Sequence, residues 1–248
     1  KPLIFYPLSV LMLAGIKDIL IIVNKGQVLQ FRKILGNGEN LGIKISYLEQ
    51  KKPNGLPEAF IIGEKFIGKN NISLILGDNF FYSQSLTKKL KECLKLKKGA
   101  TVFLHPVKNP NLYGVATVNK KNKIIKLVEK PKKTKSNLAV TGLYFFDNKV
   151  VGLSKKLKPS KRKELEITDL LNKYRAKKQL KAEIIGRGGT WLDTGSISDF
   201  YSTSNYVSTV ENRQGLKIGC LEEIALNNKW ISKKQIQNSI VFYGKCEY

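Results

Sequence analysis

Short apolar runs alternate along the chain with stretches in which apolar positions recur every three or four residues. The first kind predicts strands buried on both faces, the second amphipathic helices. Residues 3–13 are apolar and helix-compatible, and Gly15 closes them. A strand is predicted over 19–23 (Ile-Leu-Ile-Ile-Val), a helix over 27–35 ending at Gly36, and an alternating strand over 43–48. Pro53-Asn54-Gly55 is a turn signal, and a helix follows over 58–66, stopping near Gly68. A second apolar strand over 72–76 halts at Gly77-Asp78-Asn79, and a lysine-faced helix is predicted over 86–96.

Beyond residue 100 the spacing changes. Strands predicted over 101–107, 114–118, 124–128 and 141–146 lie too close together for helical crossovers between them all, so antiparallel strands are expected beside a parallel sheet. A helix over 166–175, a strand over 182–185, a long helix over 198–210 and short helices in the tail over 221–248 follow. The predicted class is α/β, a Rossmann-like doubly wound mixed sheet with an antiparallel extension and C-terminal helices. Residues 1–211 read as the α/β core and 212–248 as a helical extension packed on it, with no internal repeat or low-complexity linker.

Composition narrows the class. With 248 residues, 42% hydrophobic and 25% charged, the chain is an ordinary globular one, not a disordered or collagen-like one. No apolar run approaches the roughly 20 residues that a bilayer span needs, and no signal-peptide pattern opens the chain. Cys93, Cys220 and Cys246 are odd in number and far apart, so neither a disulfide framework nor a zinc knuckle is expected; a reduced, cytoplasmic setting is. The net charge of +25 admits nucleic acid, an anionic membrane face or phosphorylated substrates as partners. Nearly all of it is lysine spread along the chain, with arginine only at 32, 162, 175, 187 and 213. Groove and phosphate readers lean on arginine, so a solvated lysine-rich surface is expected, with no nucleic acid and no membrane partner.

Two acidic strand ends stand out. Asp78 follows the strand over 72–76 through a glycine turn, where ligands of open α/β sheets bind and where a hard cation could be held; an Asp-Asn turn that merely ends the strand fits equally. Asp193 follows a short apolar stretch in Gly188-Gly189-Thr190-Trp191-Leu192-Asp193-Thr194-Gly195. Two carboxylates without a His or Cys cluster suit Mg²⁺ rather than Zn²⁺. Glu129-Lys130-Pro131 sets an acid beside a base at a third strand end, which a solvated strand end also explains. His105, the single histidine, precedes a proline and reads as structural. Chemistry that needs no neutral-pH base fits this inventory, such as attack by a phosphate oxygen already ionised at pH 7.

Taken together, these motifs resemble the glucose-1-phosphate thymidylyltransferases, a family of sugar nucleotidyltransferases. Tyr6-Pro7-Leu8-Ser9, Leu11-Met12-Leu13-Ala14-Gly15-Ile16, Leu76-Gly77-Asp78-Asn79, Tyr113-Gly114-Val115 and Glu129-Lys130-Pro131 carry the likeness through the first half. It continues through residues 136–145, Glu164-Leu165-Glu166-Ile167-Thr168-Asp169, Trp191-Leu192-Asp193-Thr194-Gly195 and Arg213-Gln214-Gly215-Leu216-Lys217, in order along the whole chain. The resemblance implies a nucleotide-diphospho-sugar transferase fold that joins dTTP to glucose 1-phosphate, giving dTDP-glucose and pyrophosphate, in the route to dTDP-rhamnose and related surface sugars. It implies Asp78 and Asp193 as Mg²⁺ ligands, Gln50 as thymine reader and Gly55 as a point of close approach to the nucleotide. Tyr113, Gly114, Glu129, Val140, Thr141, Gly142 and Trp191 would line the glucose, and Lys130 and Arg162 would hold its phosphate. A homotetramer with feedback by a dTDP-sugar at an interfacial site is implied too.

One departure qualifies this. The family's Gly-Gly-x-Gly-Thr-Arg loop and the Lys-Gln-Leu-Leu-Pro segment after it do not occur in the sequence, and the chain opens at Lys1 inside an amphipathic stretch. A fragment of an active enzyme is therefore expected, itself a poor catalyst. Two alternatives remain at this point. One is a nucleotidyltransferase for another nucleoside triphosphate or sugar phosphate; the other is a non-catalytic relative that binds nucleotide sugars or nucleic acid.

Overall fold

In a computed structural model, which describes residues 1–246 and 248, the expected alternation of helices and strands is present. Helix α1 (Phe5–Ala14) ends at Gly15, whose φ of +93° suits glycine and lets its N–H cap the helix. Strands β1 (Asp18–Asn24) and β2 (Lys44–Gln50) flank α2 (Val28–Leu35) and pair in parallel, as a helical crossover requires. The helix predicted over 58–66 is two short ones, α3 (Glu58–Ile62) and α4 (Glu64–Ile67), broken at Gly63. Then come β3 (Ile72–Ile75), β4 (Asn79–Tyr82), α5 (Leu86–Leu94), β5 (Ala100–Pro106), β6 (Gly114–Val118), β7 (Ile124–Glu129) and β8 (Leu138–Phe146). The chain continues through α6 (Val150–Ser154), α7 (Ile167–Ala176), β9 (Leu180–Ile184), β10 (Thr190–Asp193), α8 (Ile197–Gln214), α9 (Leu221–Asn227) and α10 (Lys233–Tyr243). Of the tail read as short helices, Glu247 lies outside the described residues.

The closely spaced strands do form antiparallel pairs. The main sheet runs β7-β6-β8-β5-β9, with β9 parallel to β5 and β3 also joined to β8. Strand β5 occupies one edge of β8 along most of its length; the other edge takes β6 at Leu138 and Ala139 and β3 at residues 143–146. Between those two partners that edge has no strand beside it among the described residues. There the Gly142 N–H donates to Asn79 Oδ1 at 3.0 Å, and the Leu76 N–H donates to the Gly142 carbonyl at 2.9 Å.

One apolar cluster fills the space between the sheet and α3, α6 and α7, with Phe60, Phe146, Leu170 and Tyr174 fully buried in it. A second packs α1 and α5 on the opposite face through Val10, Leu86, Leu90 and Phe103. A third joins α1, β1 and α9 through Leu8, Met12, Ile19 and Leu221. Strands β1 and β3 were expected to be buried on both faces, yet Leu20, Ile21, Ile22 and all of β3 are only half-buried. In this chain β1 and β3 are not hydrogen-bonded to each other, and two grooves of about 540 and 490 Å³ lie along them beside α1 and α3.

Candidate active site

Strands β4 and β10, absent from the sequence-based expectation, build the acidic end of the site. They pair antiparallel, with Asp193 opposite Asn79. Gly77 ends β3 and turns the chain so that Asp78 precedes β4, and Thr194 clamps the turn: its N–H and its hydroxyl both donate to the Asp78 carbonyl, at 2.9 and 2.6 Å. Asp78 and Asp193 thus come from segments more than a hundred residues apart onto one rim. Burial and then the neighbouring Asp78 charge raise the Asp193 carboxyl above its ordinary range, with Lys130 opposing. Two repelling carboxylates suit a hard cation that takes one or two protein oxygens and completes its shell with phosphates and water. No cluster of three or more possible metal ligands occurs among the described residues.

Asn79 is the hub of this end. Its Oδ1 accepts from Gly142 N and, at 2.6 Å, from Trp191 Nε1, while its Nδ2 donates to Asp78 Oδ1 at 2.8 Å. Trp191 is buried and meets Tyr113 edge-on, ring centres 5.1 Å apart, and His105 edge-on at 6.3 Å. Burial lowers the His105 pKa, and its Nδ1 has no hydrogen-bond partner. The sequence reading gave Asn79 no role of its own; its place in the Gly77-Asp78-Asn79 triplet was the available signal.

Beside the acidic rim lies a cleft of about 240 Å³ lined by Tyr113, Gly114, Glu129, Lys130, Val140, Arg162 and Asp193. These seven sequence-selected residues therefore share one cavity. A Cβ at Gly114 would lie 2.9 Å from Thr168 Cγ2 and 3.2 Å from Glu129 Oε2, so glycine there makes room for the Glu129 carboxylate. Lys130 sits at φ +38°, in the left-handed region, with its N–H donating to the Tyr113 carbonyl. Thr141 is fully buried and its hydroxyl donates to Phe103 O, so its side chain faces β5 rather than the cleft. Arg162 lies 3.5–3.6 Å from the carboxylates of Glu129, Glu164 and Glu166. Glu164 and Glu166 were quoted in the sequence only as part of a motif; acidic side chains beside an arginine carry no periodicity that would have singled them out.

Gln50 and Gly55 lie in the adjoining groove of about 490 Å³, with Gly77. Leu56, Leu76 and Glu164 line both this groove and the cleft, which places the two side by side. The Gln50 amide donates to Glu58 Oε2, while Asn54 Nδ2 donates to Glu58 Oε1. Gly55 has φ +103°, and a Cβ there would lie 2.2 Å from the Leu165 carbonyl oxygen. Its close approach in this structure is thus to the Leu165 backbone, whose N–H donates to Asn54 O at 2.7 Å.

A family model described as nucleotidyl transferase matches residues 1–209. The chain belongs to this family. Among its nucleotidyl transferase relatives, the glucose-1-phosphate thymidylyltransferase of Neisseria meningitidis serogroup A is 49% identical across the whole of this chain and 86% of that protein. The protein of the same name from Xanthomonas campestris pv. campestris is 46% identical across the whole chain and 84% of its own length. Among solved structures, a Bacillus anthracis protein described as a glucose-1-phosphate thymidylyltransferase, in complex with sucrose, superposes with a TM-score of 0.76. It is 36% identical, and the match covers 83% of this chain and 82% of that one. A UDP-glucose pyrophosphorylase complexed with UDP-glucose follows at TM-score 0.72 and 26% identity, covering 84% and 87%. The sheet-centred nucleotidyl transferase fold expected from the sequence is therefore the fold of this chain.

Proposed function

We propose that the chain transfers a thymidylyl group from dTTP to glucose 1-phosphate, giving dTDP-glucose and pyrophosphate. The observation that carries this reading is the cleft in which Tyr113, Glu129, Lys130 and Arg162 meet Asp193, open beside the Gln50 groove. An ionised phosphate oxygen of the sugar phosphate attacks the nucleotide α-phosphorus. A new P–O bond forms as the bond to the β-phosphate oxygen breaks, and pyrophosphate leaves with that electron pair. No side chain has to take a proton from the nucleophile, which agrees with a site whose nearest histidine is the half-buried His105 beside Trp191.

The barrier is the meeting of two anions, so fixed positive charge is the main aid the protein can give. Lys130 and Arg162 hold the sugar phosphate, Glu129 accepts from glucose hydroxyls, and Gln50 offers a donor and an acceptor to a pyrimidine edge. Asp78 and Asp193 hold Mg²⁺, which supplies further counter-charge to the phosphates when bound. The many relatives named for this activity support the reading. The UDP-glucose pyrophosphorylase neighbour makes UTP the alternative nucleotide, since one methyl group discriminates by only about 1–3 kcal/mol. A homo-oligomer belongs to the same reading; α10 leaves Ile240, Val241 and Phe242 exposed.

The test measures pyrophosphate release with Mg²⁺ and glucose 1-phosphate, comparing dTTP with UTP. A higher kcat/KM for dTTP is expected. Preference for UTP or for another sugar phosphate would overturn the substrate assignment. Asp193→Asn should cut turnover by about 10²–10³, the scale of losing one fixed electrostatic partner. Its Tm should hold or rise, because a carboxyl disfavoured by burial and by Asp78 is removed.

A further inference from the structure

Arg162 is surrounded by more negative charge than it can neutralise. Its Nη1 lies 3.6 Å from both Glu129 Oε1 and Glu166 Oε2, and its Nη2 lies 3.5 Å from Glu164 Oε2. These distances hold a guanidinium in place by charge, yet they are too long for hydrogen bonds. The planar fork therefore keeps its N–H donors free for an incoming oxyanion.

The three carboxylates are not equivalent. The side chains of Glu129 and Glu164 are 24% and 39% exposed, whereas that of Glu166 is 10% exposed. Glu166 opens α7, where a carboxylate is favoured by the helix N-terminus. Its Oε1 accepts from the Ser160 hydroxyl at 2.7 Å, and that same hydroxyl accepts from the Arg162 backbone N–H at 3.0 Å. The loop between them is closed by Ser160 N donating to Glu164 O and Lys163 N donating to Ser160 O, with Lys163 at φ +63°. Backbone and side chain of Arg162 are thus both referred to one fixed pair, Ser160 and Glu166.

We propose that Glu166, pinned by Ser160, is the positioning residue that holds Arg162 over the cleft with its donor fork open to the phosphate of the sugar phosphate. The inference rests on the substrate reading above and adds a residue to it. It also predicts an effect of unusual sign. Coulomb's law alone says that removing a negative charge beside an anion site tightens phosphate binding. Positioning says the reverse for Glu166.

The experiment compares the parent protein with Glu166→Gln and Glu164→Gln, measuring glucose 1-phosphate affinity by calorimetry and KM for both substrates. Glutamine at 166 can still accept from Ser160 but no longer attracts the guanidinium. Glu166→Gln should raise the Kd and KM for glucose 1-phosphate about tenfold, the order of one lost charge-assisted contact. The nucleoside triphosphate KM should stay within about twofold. Glu164→Gln, which removes the same charge from an exposed position, should leave glucose 1-phosphate binding equal or tighter. Ser160→Ala should show part of the Glu166→Gln effect.

Unchanged or tighter glucose 1-phosphate binding by Glu166→Gln overturns the positioning role. So does an equal loss for both substrates accompanied by a lowered Tm, which is a merely structural effect. If the parent itself does not bind glucose 1-phosphate, the substrate reading fails and this inference falls with it.

Discussion

Glu129 lines the cleft beside Lys130 and Arg162, and its surroundings pull its titration both ways. Burial and then the Glu166 charge raise its carboxyl above the ordinary 4.5, while the Thr168 hydroxyl, Lys130 and Arg162 lower it; the balance is a raised pKa. Tyr113, Tyr144 and Asp193 complete its surroundings in the cleft. A raised pKa means that the carboxylate is lost earlier on acidification than an ordinary glutamate would be. If the ionised form accepts from glucose hydroxyls, as proposed above, kcat/KM for glucose 1-phosphate should fall as pH drops, with a midpoint above 4.5. Thr168→Val removes a bond to the ionised form and should move that midpoint upward. A pH–rate series with circular dichroism as a folding control checks both; a midpoint at or below 4.5, or a downward move in Thr168→Val, would count against the role given to Glu129.

Among the elements, β8 decides where the site can be. One of its edges is shared by β6 and β3, and the site opens where they part, at residues 140–142. Gly142 fills that gap tightly: a Cβ there would lie 2.5 Å from Asn79 Oδ1 and 2.7 Å from Leu76 Cγ. Gly142→Ala should therefore push β8 away from Asn79, which also holds Trp191 and Asp78. A loss of about 1–3 kcal/mol in stability is expected, as for other overpacked positions, together with reduced turnover. Denaturant unfolding and pyrophosphate release measure the two, and an alanine variant as stable and active as the parent would show that the gap has slack. The same region marks the limit of what periodicity reveals. Strands β5, β6, β7 and β8 carry long apolar or alternating patterns and were legible. Strands β4 and β10 have four residues each and pair across more than a hundred positions, so nothing local announces either. Asp78 and Asp193 were found as acidic strand ends and through family resemblance; their shared rim depends on that long-range pairing. Glu166 was invisible for another reason: its role comes from Arg162 and Ser160, and a single glutamate before a helix reads as an ordinary first-turn acid.

At the scale of the whole molecule the mixed α/β architecture is the expected one, and within this chain the β1–β2 ladder and the larger sheet that contains β3 share no backbone ladder. The apolar sequences of residues 19–23 and 72–75 suit strands covered on both faces, and helices do cover them; what lies open is their edges. In a parallel pair only alternate residues of β1 direct their N–H and C=O groups at β2, and the others face the groove. The two ladders are held together by side-chain packing of α1 and α3, not by backbone bonds, so the β1–β2 unit should open more readily than the strands around β8. Hydrogen exchange followed by mass spectrometry should find peptides spanning β1 and β2 exchanging at least about tenfold faster than those spanning β5 and β8. The consequence reaches the site, because Gln50 ends β2 while Asp78, Glu129 and Arg162 are anchored to the larger sheet or the loops around it. On the proposed function the nucleotide base and the sugar phosphate would be read from these two ladders, and binding dTTP, which would then touch both, should slow exchange in β1 and β2 more than in β5. Equal protection of all these strands without nucleotide would show instead that α1 and α3 lock the ladders as firmly as a shared backbone would.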